Sequence, residues 1–140
     1  MIGKNEADGG LSWWRRALAL WRRMRAVQMM RGRLPDRRPS MTFEATWNNH
    51  QLSGTVGFDP VTGRVLEVFG DPQKGSMQAT IADAMVLVSI ALQRGATVDE
   101  LRRSLLIETD YTGAETAASP IGAILKAVAE VQAEILGDCE

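Results

Sequence analysis

The segment from Gly75 to Leu106, GSMQATIADAMVLVSIALQRGATVDELRRSLL, restricts the fold more than any other part of the chain. Met77, Ile81, Ala84, Met85, Val88 and Leu92 recur at helical spacing, and Leu87, Ile90 and Ala91 widen the apolar surface past a single stripe. A helix apolar over most of its circumference is expected in the middle of a fold. Gly95 stands where a left-handed C′ residue would end that helix. Thr97 and Glu100 then form a capping-box pattern ahead of Leu101, Leu105 and Leu106, which predicts a second helix. The stretch over 77–93 is short for a bilayer span and carries Asp83, so it reads as a buried helix of a water-soluble domain.

A chain of 140 residues has room for one domain with a real core. Its single cysteine, Cys139, allows no intramolecular disulfide and no multi-cysteine metal site, and points to a reducing, cytoplasmic setting. The polar start MIGKNEADGG, followed by an arginine-rich apolar stretch, does not have the pattern of a secretory leader. The net charge of −1 conceals an asymmetry. Residues 1–40 hold ten Lys/Arg against three Asp/Glu, net +7, whereas residues 41–140 hold six against fourteen, net −8. An acidic body with a basic N-terminal part can satisfy the latter internally, on another subunit or on an anionic partner.

Residues 1–10 are expected to form a disordered tail and residues 11–31 a basic amphipathic helix capped by Ser12. At about 100° per residue, Trp13, Trp14, Ala17, Leu20, Trp21, Met24 and Val27 share one face, and Arg15, Arg16, Arg22, Arg23 and Arg25 the other. Three readings fit this helix. Its Trp/Leu face docks on the body or on another subunit, with the arginines solvated or paired to acidic neighbours; its arginines contact nucleic-acid phosphates with tryptophans packed beneath or stacking on bases; or it lies in a membrane surface. Exposed, three tryptophans on one face are an aggregation hazard, so a covering partner is expected. Residues 32–40, with glycine, two prolines and Arg33, Arg37 and Arg38, read as a linker carrying a second basic cluster.

An antiparallel meander is expected next, within a domain spanning 41–137. Met41, Phe43, Ala45 and Trp47 alternate with polar residues, Asn48-Asn49 suits a two-residue turn, and Leu52, Gly54, Val56 and Phe58 resume the alternation. Asp59 to Gly63 makes a second turn, and Arg64 to Phe69 a third strand. Gly54 and Gly57 suggest a bulge or a close approach. Because Phe43, Trp47, Phe58 and Phe69 are too many for one helix layer to cover, the sheet's second face is expected to need cover from a homodimer or the N-terminal helix. His50 reads as an exposed turn residue. Residues 70–76, GDPQKGS, read as a turn with Ser76 as N-cap; Lys74 and the glycines also suit an anion, though no P-loop spacing occurs. Glu108 to Ala118 reads as a loop. Ser119-Pro120 begins a last helix whose stripe is Ile121, Ile124, Leu125, Val128, Val131 and Ile135, with Gly137 as its stop.

The run LPDRRPSMTFEATWNNHQLSGTVGFDPVTGRVLEVF, then DPQKGS, SIALQRGATVDELRRSLL and SPIGAILKAV, resembles the TSCPD domain over roughly residues 34–135. The most specific part is Ser89 to Leu105, where S-x-A-L-x-x-G leads into an Asp/Glu-Leu helix. Such domains occur near the C-terminus of vitamin-B12-dependent ribonucleotide reductases and as short stand-alone bacterial and phage proteins. The family's Thr-Ser-Cys-Pro-Asp signature would fall on Ala117, Ala118, Ser119, Pro120 and Ile121. Only the proline matches, so a thiol or metal role tied to that cysteine is not implied here. Nor is the reductases' cysteine-pair tail, since Cys139 stands alone.

The reductase reaction itself needs a large barrel, a radical cofactor and several cysteines, so the resemblance implies ancestry rather than catalysis. No base accompanies Ser53, Ser89 or Ser119 for nucleophilic chemistry. Asp99 and Glu100 fit the favourable first turn of a helix, while Glu108 and Asp110 suit at most a weak cation contact. The sequence therefore predicts an α+β domain, a three-stranded meander packed against two or three helices and preceded by a basic helix. It implies no catalytic residue, metal site or cofactor. The expected role is a binding module for an anionic partner, nucleic acid or nucleotide, through Arg15, Arg16, Arg22, Arg23, Arg25, Arg33, Arg37 and Arg38. The alternative is an adaptor that docks on a protein, or self-associates, through Trp13, Trp14, Leu20, Trp21 and Met24. A membrane surface is the less favoured partner.

Overall fold

Period-two alternation from Ser40 onward folds as an antiparallel sheet of order β1-β2-β3, comprising β1 (Ser40–Trp47), β2 (His50–Phe58) and β3 (Val65–Gly70). The computed structural model describes residues 13–22, 34–71 and 75–138. The chain divides into two units, Met1–Arg31 and Gly32–Glu140. In the first, residues 13–22 form a helix, α1. The second carries the sheet, then α2 (Met77–Gln93), α3 (Val98–Ser104), a two-stranded hairpin of β4 (Ile107–Thr109) and β5 (Glu115–Ala117), and α4 (Pro120–Gly137). The fold is α+β.

Local chemistry sets most of the boundaries. Asn48 and Asn49 take φ of 45° and 65°, the left-handed pair that a tight hairpin of right-twisting strands requires. The register places Met41 opposite Val56 and Phe43 opposite Gly54, with a bulge at Gly57/Phe58. Gly54 is obligatory for packing, because a Cβ there would collide with the Phe69 carbonyl and the Phe43 ring. α2 stops in a Schellman motif: Gly95, at φ 104°, donates its N–H to Leu92 O, and Ala96 N–H reaches Ala91 O at 3.0 Å. The capping box then starts α3, with Thr97 Oγ1 accepting from Glu100 N at 3.1 Å and Glu100 Oε2 accepting from Thr97 N at 2.9 Å. Ser119 caps α4 by accepting from Gly122 N, with Pro120 in the first turn.

One face of the sheet bears the core. Phe43, Leu52, Val56, Val65 and Val68 are buried against Ile81, Met85, Val88 and Leu92 of α2 and Ile124, Leu125, Val128, Val131 and Ile135 of α4, with Val98 joining from α3. α2 packs on β3, and α4 on β1 and β2. Polar side chains of the helices also close the free edge of β3. Ser89 Oγ accepts from Val68 N at 3.0 Å and donates to Val68 O at 3.2 Å. Gln93 Nε2 donates to Leu66 O, and Gln132 Oε1 accepts from Val65 N. An unpaired sheet edge invites association with other strands, and these bonds occupy this one.

Several expectations need correction. α2 is not surrounded by protein: Val86 and Leu87 are 57% and 68% exposed, because the sheet takes one side of the helix only. The sheet's second face does not demand a cover either. Phe43, Trp47 and Phe58 all turn to the helix layer, and the opposite face presents Thr42, Glu44, Thr46 and Gln51 together with an exposed Phe69. The segment 108–118 is a hairpin rather than a loop. Ser76 precedes α2 in helical conformation and makes no side-chain cap bond. α3 ends at Ser104, so Leu106 falls outside the helix and is 81% exposed.

Candidate functional site

The arginine-bearing positions fall into three groups. Arg15, Arg16 and Arg22 lie on α1 and are exposed. On the other side of that helix Trp13, Trp14, Leu20 and Trp21 are also largely exposed, and the Trp13 and Trp14 rings meet edge to face at 5.0 Å. Arg23, Met24, Arg25 and Arg33 lie outside the described residues, as do Lys74 and Cys139. Arg37 and Arg38 belong to the irregular segment before β1, Arg37 at a bend. Arg37 is exposed, whereas Arg38 is engaged: its Nε lies 2.5 Å from Glu67 Oε2, without hydrogen-bond alignment, and its Nη1 donates to Pro35 O. Gly57 leaves room for this crossing: a Cβ there would sit 3.1 Å from the Glu67 carboxylate and 3.4 Å from Arg38 Nε, and the two side chains would have to shift slightly. Arg38 thus ties the segment before β1 to β3.

A groove of about 590 Å³ opens in the second unit where the end of β1, the α3–β4 connection, the β4–β5 hairpin and the first turns of α4 converge. Trp47 is fixed there by donating its Nε1–H to Ala117 O at 3.2 Å, which pins the hairpin to the sheet, and its ring stacks on His50. Four carboxylates (Glu44, Glu108, Glu115 and Glu130) line the groove against two cations, Arg102 and Lys126. That balance repels a polyanion. The groove has little signature in the sequence, because its walls come from separate elements; the local signal that bears on it is the Asp110-x-Thr-Gly turn, which closes the hairpin.

The serines singled out for nucleophilic chemistry are engaged in structural bonds. Ser53 Oγ donates to Asp71 Oδ2 at 2.6 Å, Ser89 bridges the β3 edge, and Ser119 caps α4. Asp110 is exposed, and one of its two carboxylate oxygens is committed to the hairpin turn. Its Oδ1 accepts from Thr112 N at 2.7 Å, from Ala114 N at 3.0 Å and from the Thr112 hydroxyl, and the Thr112 hydroxyl, ahead of the backbone donors, holds its pKa below the ordinary 3.8. No group of three or more His, Cys, Asp or Glu side chains suited to a metal ion occurs among the described residues. Among them, too, no helix is long and apolar enough to cross a membrane.

No curated protein and no solved structure matches the chain significantly. The family model of the TSCPD domain matches residues 25–132, well over half of the sequence. By that match the chain belongs to the TSCPD domain family.

Proposed function

We propose that this ribonucleotide-reductase-related TSCPD protein is a non-catalytic binding module whose arginine-rich N-terminal helix contacts an anionic partner, nucleic acid first. The carrying observation is the separation on α1, where exposed Arg15, Arg16 and Arg22 stand on the side away from Trp13, Trp14 and Trp21. Arginines on phosphates with indoles available for stacking are the two halves of single-strand recognition. The carboxylate-lined groove argues that such a partner engages the helix rather than the groove. The structural engagement of Ser53, Ser89 and Ser119 supports a role without chemistry.

Binding of a fluorescent single-stranded oligonucleotide to the full chain, followed by anisotropy over a salt series, tests this. If Arg15, Arg16, Arg22, Arg23 and Arg25 each neutralise one phosphate, log K falls against log salt with a slope of about −3.5. The triple change Arg15→Glu, Arg16→Glu, Arg22→Glu should abolish binding. A flat salt response sinks the reading. The exposed Trp13, Trp14 and Leu20 favour a second one, docking on a protein such as a reductase subunit. In that case Trp21→Ala breaks the complex while the arginine changes matter little. Anionic vesicles complete the comparison.

A further inference from the structure

The outward face of α2 has no role in the fold or in the proposed contact with an anion. On a 100° wheel Ala79, Asp83, Val86, Leu87, Ile90 and Arg94 fall within about one third of the circumference. This ridge is opposite Ile81, Val88 and Leu92, which pack into the core. Val86 and Leu87 are more than half exposed, and Asp83 and Arg94 are exposed and make no ion pair among the described residues. An apolar centre with one acid and one base outside it is an unusual surface for a helix to leave uncovered.

We propose that this face pairs with the same face of a second copy, with the two α2 helices antiparallel about a twofold axis. The charges carry the argument. Asp83 and Arg94 are eleven residues apart, about 16 Å along the axis, and they flank Val86, Leu87 and Ile90 with opposite signs. A surface that reads acid–apolar–base along a helix is complementary to its own reverse. The register that sets Asp83 against the partner copy's Arg94 also sets Leu87 against its Ile90, and twofold symmetry repeats both contacts. A shift by one turn in either direction breaks both ion pairs, so charge selects one register. The 17-residue helix is about 25 Å long. Two such helices bury less than the roughly 1,200 Å² at which stable interfaces begin, so the pairing is reversible and concentration-dependent.

Sedimentation velocity of the full chain across the micromolar range is the test. The expected result is a monomer–dimer equilibrium. Leu87→Glu, at an exposed position that folding does not use, should leave only monomer with unchanged far-UV circular dichroism. Asp83→Arg alone, or Arg94→Asp alone, sets like charges together at two symmetric places and should weaken the dimer on the order of tenfold. Combining the two reverses both pairs and should restore it. The proposal is overturned if the wild-type chain stays monomeric throughout. It is equally overturned if Leu87→Glu dimerises as wild type does, which would place self-association elsewhere, or if the double reversal fails to rescue the single ones.

Discussion

Ser89→Ala tests how the helix layer is bound to the sheet. Ser89 is 8% exposed, and its hydroxyl bonds to both the N–H and the C=O of Val68. Removing its hydroxyl strands both groups at a buried sheet edge. An orphaned N–H costs about 1–3 kcal/mol, and the carbonyl, with a second lone pair, less. Against this, alanine is better than serine inside a helix by about 0.5 kcal/mol. The net expectation is a loss of about 1–2.5 kcal/mol, a fall in Tm of roughly 5–10 °C for a domain of this size. Urea unfolding followed by far-UV circular dichroism should move the midpoint with the m-value unchanged, because the surface exposed on unfolding is the same. Amide exchange at Val68 should accelerate in the native state, while exchange in the β1–β2 pairing should not. A loss below about 0.5 kcal/mol, with Val68 still protected, would refute the reasoning: the edge would be closed by something other than Ser89.

Two further changes probe separate parts of the second unit. Gly54→Ala drives a methyl group into the Phe69 carbonyl and the Phe43 ring, so a loss of about 3 kcal/mol or complete failure to fold is expected from thermal melts, against less than about 1 kcal/mol for Thr55→Ala beside it. Asp110 has its pKa depressed in the folded state. The support it gives the β4–β5 turn is therefore complete above its unfolded-state value and lost as pH falls through the lower folded value. An NMR titration should give a carboxyl midpoint below 3.8, with the Thr112 and Ala114 amides shifting together, and Thr112→Val should raise that midpoint.

Local instructions in this sequence were readable wherever the deciding atoms lie within a few residues of one another. Thr97 with Glu100, Asn48 with Asn49, Ser119 with Pro120, and Gly95 after Leu92 each close bonds inside one turn, and each is found as expected. Expectations failed where the outcome depends on a neighbour distant in sequence. Glu108 to Ala117 has no burial alternation because both hairpin strands are largely exposed, so nothing in the pattern distinguishes strand from loop. Ser89 is the clearest case. A lone serine in an apolar helix carries no sign of purpose until Val68, 21 residues earlier, is placed beside it. The S-x-A-L-x-x-G run then acquires physical meaning: Ser89 closes the β3 edge, Ala91 O receives the Schellman bond, Leu92 fills the core and Gly95 turns the chain.

The same division explains why function was harder to read than fold. A chain apolar beyond the needs of its own core carries the excess for something outside that core, and two places where it does so are the Trp13/Trp14 side of α1 and the Val86/Leu87 side of α2. Sequence reasoning detected both excesses but assigned the second to the interior, since an apolar surface does not declare what it will meet. The charges beside each surface make the distinction. Around α1 they are of one sign, which suits a polyanion; along α2 they are antisymmetric, which suits a second copy. Salt separates the two physically. Oligonucleotide binding must weaken steeply as counterion release loses its advantage. A dimer whose centre is apolar, and whose exposed ion pairs contribute at most about 1 kcal/mol each, must change far less. A single salt series read by anisotropy and by sedimentation therefore tests both surfaces at once, and parallel loss of the two signals would mean that one surface serves both.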